Sequence, residues 1–168
     1  MCDDWLDFQA FAAWYEPRCR GKSLALNLSL SGSDRYGPDT CVLIPPELVN
    51  SAPKQPSKSR RLYHMGRGRG KETLPQGVRG ASGGMYAAVL CFGGRPSEIG
   101  TYGTPEEARR AYLSAKADAL EAHAARIDRD MSDEGRAAVA RCCARLRAEA
   151  AAPSGGARAG PGGRPCGT

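Results

Sequence analysis

Two histidines, seven cysteines without a single Cys-x-x-Cys spacing and no long apolar run bound what this 168-residue chain can be. The cysteines lack the paired spacing of structural zinc sites, and adjacent Cys142 and Cys143 are poorly placed to chelate one tetrahedral ion. An odd number of scattered thiols fits a reducing compartment better than a disulfide scaffold. No apolar stretch approaches the length needed to span a bilayer, and Met1-Cys2-Asp3-Asp4 is acidic where a signal peptide is basic. The expectation is a soluble, cytoplasmic protein with no membrane partner. Nucleotide loops, nucleophile elbows and paired-carboxylate motifs are also missing. The glycine-rich pieces at Gly66 to Gly70, Gly83-Gly84 and Gly93-Gly94 do not follow a strand and open a helix, as a phosphate-cradling loop must.

What is present is positive charge. The net charge is +6, and it concentrates between residues 51 and 73. There Lys54, Lys58, Arg60, Arg61, Arg67, Arg69 and Lys71 run without an acid until Glu72. Proline and glycine interrupt the same stretch, so it is expected to act as a flexible basic linker. Its chemistry suits phosphate neutralisation with counterion release. Gly66-Arg67-Gly68-Arg69-Gly70 resembles glycine-arginine segments that bind nucleic acid without sequence preference. A merely solvated linker is the plainer reading, and Tyr63 adds only one ring for stacking.

Residues 74–128 read as three strands and a helix. Gly77-Val78-Arg79, Met85 to Leu90 and Ile99 to Tyr102 each suit a short strand. In the second, Tyr86, Ala88, Leu90 and Phe92 alternate with Ala87, Val89 and Cys91, placing apolar residues on both faces. Gly93-Gly94 marks a tight turn. Thr104, Pro105 and Glu107 then form a helix start with a capping box. Ala108, Ala111, Tyr112, Ala115 and Ala119 fall on one small-sided face.

These residues, in the order Gly-Val-Arg, Tyr86-Ala87-Ala88-Val89-Leu90, Gly100-Thr101-Tyr102 and Thr104 to Tyr112, resemble the ethylene-response-factor (APETALA-type) DNA-binding domain. The resemblance covers roughly residues 74 to 122. It implies a three-stranded antiparallel sheet packed on one helix, with strand side chains entering the major groove. Arg79 stands at a contact position and Arg95 in the neighbouring turn. Where that family carries strand arginines and outward polar residues, this chain has Gln76, Val89, Cys91 and Glu98. Apolar or acidic side chains do not make bidentate base contacts, so sequence readout is expected to be weak.

The amino-terminal third, residues 1–50, carries a second resemblance. Cys2-Asp3-Asp4-Trp5 leads into Phe8, Phe11, Trp14 and Tyr15, expected to form an aromatic-rich amphipathic helix. Tyr36 to Cys41 then runs into Val42-Leu43-Ile44-Pro45 and ends near Asn50. This series is similar to phage-encoded HNH endonuclease-like proteins, many with an APETALA-type domain behind. The resemblance implies a bacterial host cell as setting and a start shorter than its relatives', whether trimmed naturally or internal to a longer parent. An HNH site needs one divalent metal and a histidine as general base. His64 falls in the linker and His123 on a helix. Ala25-Leu26-Asn27 stands where relatives carry an acidic Asp-Lys-Asp. Asp34, Asp39 and Asn50 are the remaining oxygen donors, and both aspartates bracket a Gly-Pro turn that explains them locally.

Ser132-Asp133-Glu134 opens a further helix over residues 129–152, with a thin apolar face of Val139, Cys142, Cys143 and Leu146. It is expected to pack on the preceding helix or on a copy of itself. The glycine-, proline- and arginine-rich residues 153–168 are expected to be disordered. The fold class expected is α+β: an aromatic helix/hairpin module, a basic linker, a three-stranded sheet on one helix, and a further C-terminal helix. Such a layout implies two very small cores.

The function expected is non-catalytic binding of duplex DNA, mostly at the backbone, through Arg79, Arg95, Arg60, Arg61, Arg67, Arg69 and Lys71. No catalytic residue, metal ligand or cofactor is assigned. Two alternatives remain: a protein partner docked on the apolar strand face of Ala87, Val89 and Cys91, or a metal-dependent nicking endonuclease.

Overall fold

The computed structural model describes residues 1–53, 74–92 and 95–152. The fold is mixed α+β, and the described residues form four helices and two small antiparallel sheets, one of two strands and one of three. The basic linker and the carboxy-terminal tail expected from the sequence lie outside the described residues.

A single 3-10 turn, Asp4–Leu6, precedes helix α1, Phe8–Cys19. The Asp7 carboxylate caps α1 by accepting the Gln9 amide at 2.9 Å. Pro17 denies the last turn a donor, and the chain leaves through Arg20 in the left-handed region at φ 46°. The expected aromatic helix forms, and it packs by one side only. No residue of α1 is fully buried, and Phe8 is 71% exposed. The buried aromatic is Trp5 in the preceding turn, with ring centroids 5.1 Å from Phe11 and 4.8 Å from Trp14. It packs with Leu28 and Cys41 as a satellite cluster that can cover only one side of the helix.

Strands β1, Ala25–Asn27, and β2, Val42–Ile44, pair antiparallel, with Leu26 opposite Leu43. Asn27 is buried and accepts the Leu30 amide at 3.0 Å, a local turn bond. All three residues of β2 are buried, although a two-stranded sheet cannot cover both of its own faces. Helix α2, Pro46–Val49, follows directly.

The second sheet has the order β3-β4-β5, with β3 Val78–Gly80, β4 Tyr86–Phe92 and β5 Arg95–Tyr102. Both later strands extend further than the sequence pattern suggested, because pairing continues from Tyr86↔Tyr102 out to Phe92↔Arg95. Helix α3, Pro105–Arg126, starts as its sequence dictates. The Thr104 hydroxyl accepts the Glu107 amide at 3.2 Å, and the Glu107 carboxylate accepts the Thr104 amide at 3.2 Å.

Helix α4, Asp133–Ala151, is capped by Ser132, whose hydroxyl accepts the Gly135 amide at 3.1 Å. It packs on α3, burying Ala138, Val139, Cys142, Cys143 and Leu146. Arg147 clamps the pair by reaching Asp118 at 2.8 Å and Glu121 at 2.5 Å. The start of α4 also meets β2, where a Cβ on Gly135 would come within 3.5 Å of the Leu43 carbonyl oxygen. That contact corrects the expectation of two separate small cores. Ile44 and Leu48, Ala88 and Leu90, Leu113 and Leu120, Cys142 and Leu146 belong to one cluster. The apolar triplet of β2 cannot be buried within its own module, so it docks on α4 and fuses the two parts.

Candidate nucleic-acid interface

Strand periodicity and register decide which side chains share a face of the three-stranded sheet. Val78 pairs with Ala88, and Ala88 is fully buried, so this parity faces α3 together with Leu90. The opposite parity places Arg79 beside Ala87 and Thr101, Val89 beside Glu98, and Cys91 beside Pro96. A register shift between Ala88 and Val89 leaves Ile99 as the extra residue on β5, 37% exposed. Arg79, Cys91, Glu98 and Thr101 are exposed and Val89 is half-buried, while small Ala87 is buried between its cross-strand neighbours. Thr101 donates to the Glu98 carboxylate at 3.2 Å, which fixes the acid on this outer face. The face is therefore open but mixed: the Arg79 guanidinium and the Glu98 carboxylate stand among apolar Ala87, Val89, Cys91 and Pro96.

The two sheet arginines are not brought together. Arg95 pairs with Phe92, five residues along β4 from the Ala87 that faces Arg79, so their backbones lie about 17 Å apart along the strand. They also belong to opposite parities. Arg60, Arg61, Arg67, Arg69 and Lys71, with Tyr63 and His64, lie outside the described residues. The described chain stops at Pro53 and resumes at Leu74, a few residues before edge strand β3, so the basic segment is tethered beside the sheet.

His123 sits where a structural histidine does. Its Nδ1 is 2.6 Å from the Ser51 hydroxyl and its ring lies 5.3 Å from Phe92, joining α3 to the end of α2 and of β4. Burial, reinforced by Arg126 and opposed by Glu47, holds the imidazole below its ordinary pKa. Among the described residues, no group of three or more histidines, cysteines or acids is placed to hold a metal ion. Asp34, Asp39 and Asn50 are all exposed. Among the described residues, no helix is long and apolar enough to cross a membrane.

Sequence reasoning missed a second gathering of cations. Arg109 and Lys116 on α3 and Arg145 on α4 line a cleft of about 270 Å³, with Pro53 and Gln76 at its rim. The only signal in the sequence was that Arg109, Tyr112 and Lys116 recur at helical spacing, a pattern indistinguishable from a solvated surface until α4 is docked. A larger cleft of about 420 Å³ runs between the end of α1 and the start of α4. Along its walls Arg18 pairs with Glu134 and Arg136 with Asp133.

Comparison of the chain with protein-family models, with curated proteins and with solved structures finds no match.

Proposed function

We propose that this chain is a non-catalytic duplex-DNA-binding protein that lays the outer face of its three-stranded sheet against DNA. The basic segment between residues 53 and 74 supplies most of the phosphate contacts. The observation that carries the reading is the sheet itself: one face is sealed by α3, the other is open, and the strongest run of positive charge joins it at edge strand β3. With one arginine on the open face and Glu98 opposing it, affinity comes from charge more than from base contacts. Sequence preference is correspondingly modest, and the setting that fits the residue-level resemblances is a phage or prophage in a bacterial cytoplasm.

Fluorescence anisotropy of a mixed-sequence duplex at several salt concentrations tests this. Affinity should fall steeply as salt rises, and Arg67→Ser with Arg69→Ser should reduce the log–log slope by about 2. Absence of binding at low salt would overturn it.

A protein partner on the same face is the second reading, favoured by the exposure of Cys91 and Ile99 and the half-exposure of Val89 beside a single cation. Binding of that kind persists at high salt and is lost with Val89→Asp.

A further inference from the structure

The satellite cluster of the amino-terminal module is thin. Its buried members are Trp5, Leu28 and Cys41, and α1 adds no buried residue to it. Modules with so small a core commonly depend on a covalent staple. Two thiols stand at this cluster. Cys41 is 8% exposed within it, and Cys2 is half-buried against it.

Backbone hydrogen bonds bring both cysteines to one turn. The Cys2 amide donates to the Tyr36 carbonyl at 2.6 Å, and the Cys41 amide donates to the Gly37 carbonyl at 3.0 Å. The second bond closes a single helical turn, which keeps the α-carbons of Gly37 and Cys41 about one pitch, roughly 5–6 Å, apart. The Cys2 side chain lies on that same glycine. A Cβ on Gly37 would stand 3.4 Å from the Cys2 sulfur, 3.5 Å from the Cys2 Cβ and 3.6 Å from the Thr40 hydroxyl. The scale of this turn suits a disulfide, whose α-carbons stand about 4.4–6.8 Å apart. The other described thiols are placed elsewhere. Cys19 donates to the Lys22 carbonyl at 3.5 Å past the end of α1, Cys91 is on the outer sheet face, and Cys142 and Cys143 are sealed between α3 and α4.

We infer that Cys2 and Cys41 form a reversible cross-link, made by exchange with a small disulfide of the glutathione disulfide class, that locks the amino-terminal module. Cys2, the more open thiol, attacks one sulfur of the small disulfide as its thiolate, breaking that S–S bond and releasing one small thiolate. The Cys41 thiolate then attacks the Cys2 sulfur of the mixed disulfide, forming the protein S–S bond and releasing the second. Two electrons pass from the protein sulfurs to the small disulfide, and the two protein protons end on the released thiolates. The closed ring of about 40 residues encloses α1 and β1 and restricts the unfolded module. Reversible disulfides of this kind act as redox sensors in reducing compartments. The link belongs to the amino-terminal module and does not depend on how the outer sheet face is used.

The full chain is incubated with glutathione disulfide under native conditions, alkylated, digested with trypsin and mapped by mass spectrometry. The expected product joins the peptide of residues 1–18 to that of residues 36–54, and a dithiol reductant removes it. The chain's two tryptophans, Trp5 and Trp14, both report on the cluster, so thermal unfolding is followed by their fluorescence. Oxidation should raise that midpoint by about 4 °C or more, and the rise should vanish in Cys2→Ser. The inference is overturned if no linked peptide forms, if glutathione stays on Cys2 with Cys41 unlinked, if Cys2 links to another cysteine, or if the link leaves the midpoint unmoved. Mapping of the wild-type chain decides the matter should the variant lose its fold, and no readout involves DNA, so this inference and the DNA-binding reading fail separately.

Discussion

Replacing Gly77 with alanine tests how the edge of the sheet is fixed to α3. Gly77 has φ +83°, and a Cβ there would lie 2.2 Å from Cδ2 and 2.3 Å from Cγ of Tyr112. Carbon atoms pack at about 3.5–4.0 Å, so the ring or the strand would have to move by more than an ångström. The left-handed backbone alone costs an alanine about 1–2 kcal/mol. Overpacking a buried aromatic adds about 1–3 kcal/mol, for a total of about 2–5 kcal/mol. The Gly77 carbonyl also accepts the Val89 amide at 2.8 Å, so a shifted strand strains the β3–β4 pairing as well. For a chain of this size the loss should lower Tm by about 4–20 °C, read by thermal unfolding followed by circular dichroism. A double-mutant cycle with Tyr112→Ala separates the two terms, because the overlap vanishes in the Tyr112→Ala background while the backbone cost persists. Coupling of about 1–3 kcal/mol is expected. A Tm within about 1 °C of wild type for Gly77→Ala would refute the close approach.

Three further outcomes follow from the same geometry. Because His123 is held below its ordinary pKa by burial, the unfolded chain takes up its proton first on acidification. Its contribution is complete above about pH 6.5 and declines as pH falls towards the folded value; His123→Gln should flatten the urea midpoint between about pH 7.5 and 5.5, and an unchanged slope would contradict this. Burial pushes the Cys143 thiol up to about 11 and raises Cys142 too, so alkylating reagents should modify exposed Cys91 in the native protein and reach Cys142 and Cys143 only on unfolding. Rapid native labelling of the adjacent pair would show that α4 is not docked. Glu98→Gln removes the one acid on the outer face and should tighten duplex DNA binding by about two- to fivefold at low salt in the anisotropy assay, whereas no change would separate that face from the DNA.

Local rules made the second half of the fold legible. Thr104, Pro105 and Glu107 announce α3, Ser132 announces α4, and alternation around Ala88 and Leu90 announces the central strand, because each signal acts within a few residues. What stayed hidden required tertiary information. Leu113, Ala117, Leu120 and Ala124 form a second buried face of α3, which has a purpose only once α4 lies against it. Val42-Leu43-Ile44 read as a motif fragment, while its burial on both faces was the clue that the amino-terminal part shares the main core. The candidate interface was half legible. Alternation put Arg79, Val89 and Cys91 on one face, but the separation of Arg79 from Arg95 depends on register and strand length. The cationic cleft was not legible, since Arg145 meets Arg109 and Lys116 only through helix packing.

The central claim is that the open sheet face meets DNA, and backbone-amide NMR of the full chain titrated with a mixed-sequence duplex tests it most directly. Shift changes should cluster at Arg79, Val89, Glu98 and Thr101 together with the basic segment, with little change along α4. Changes confined to the basic segment or to α4, with the sheet amides unmoved at saturation, would contradict it.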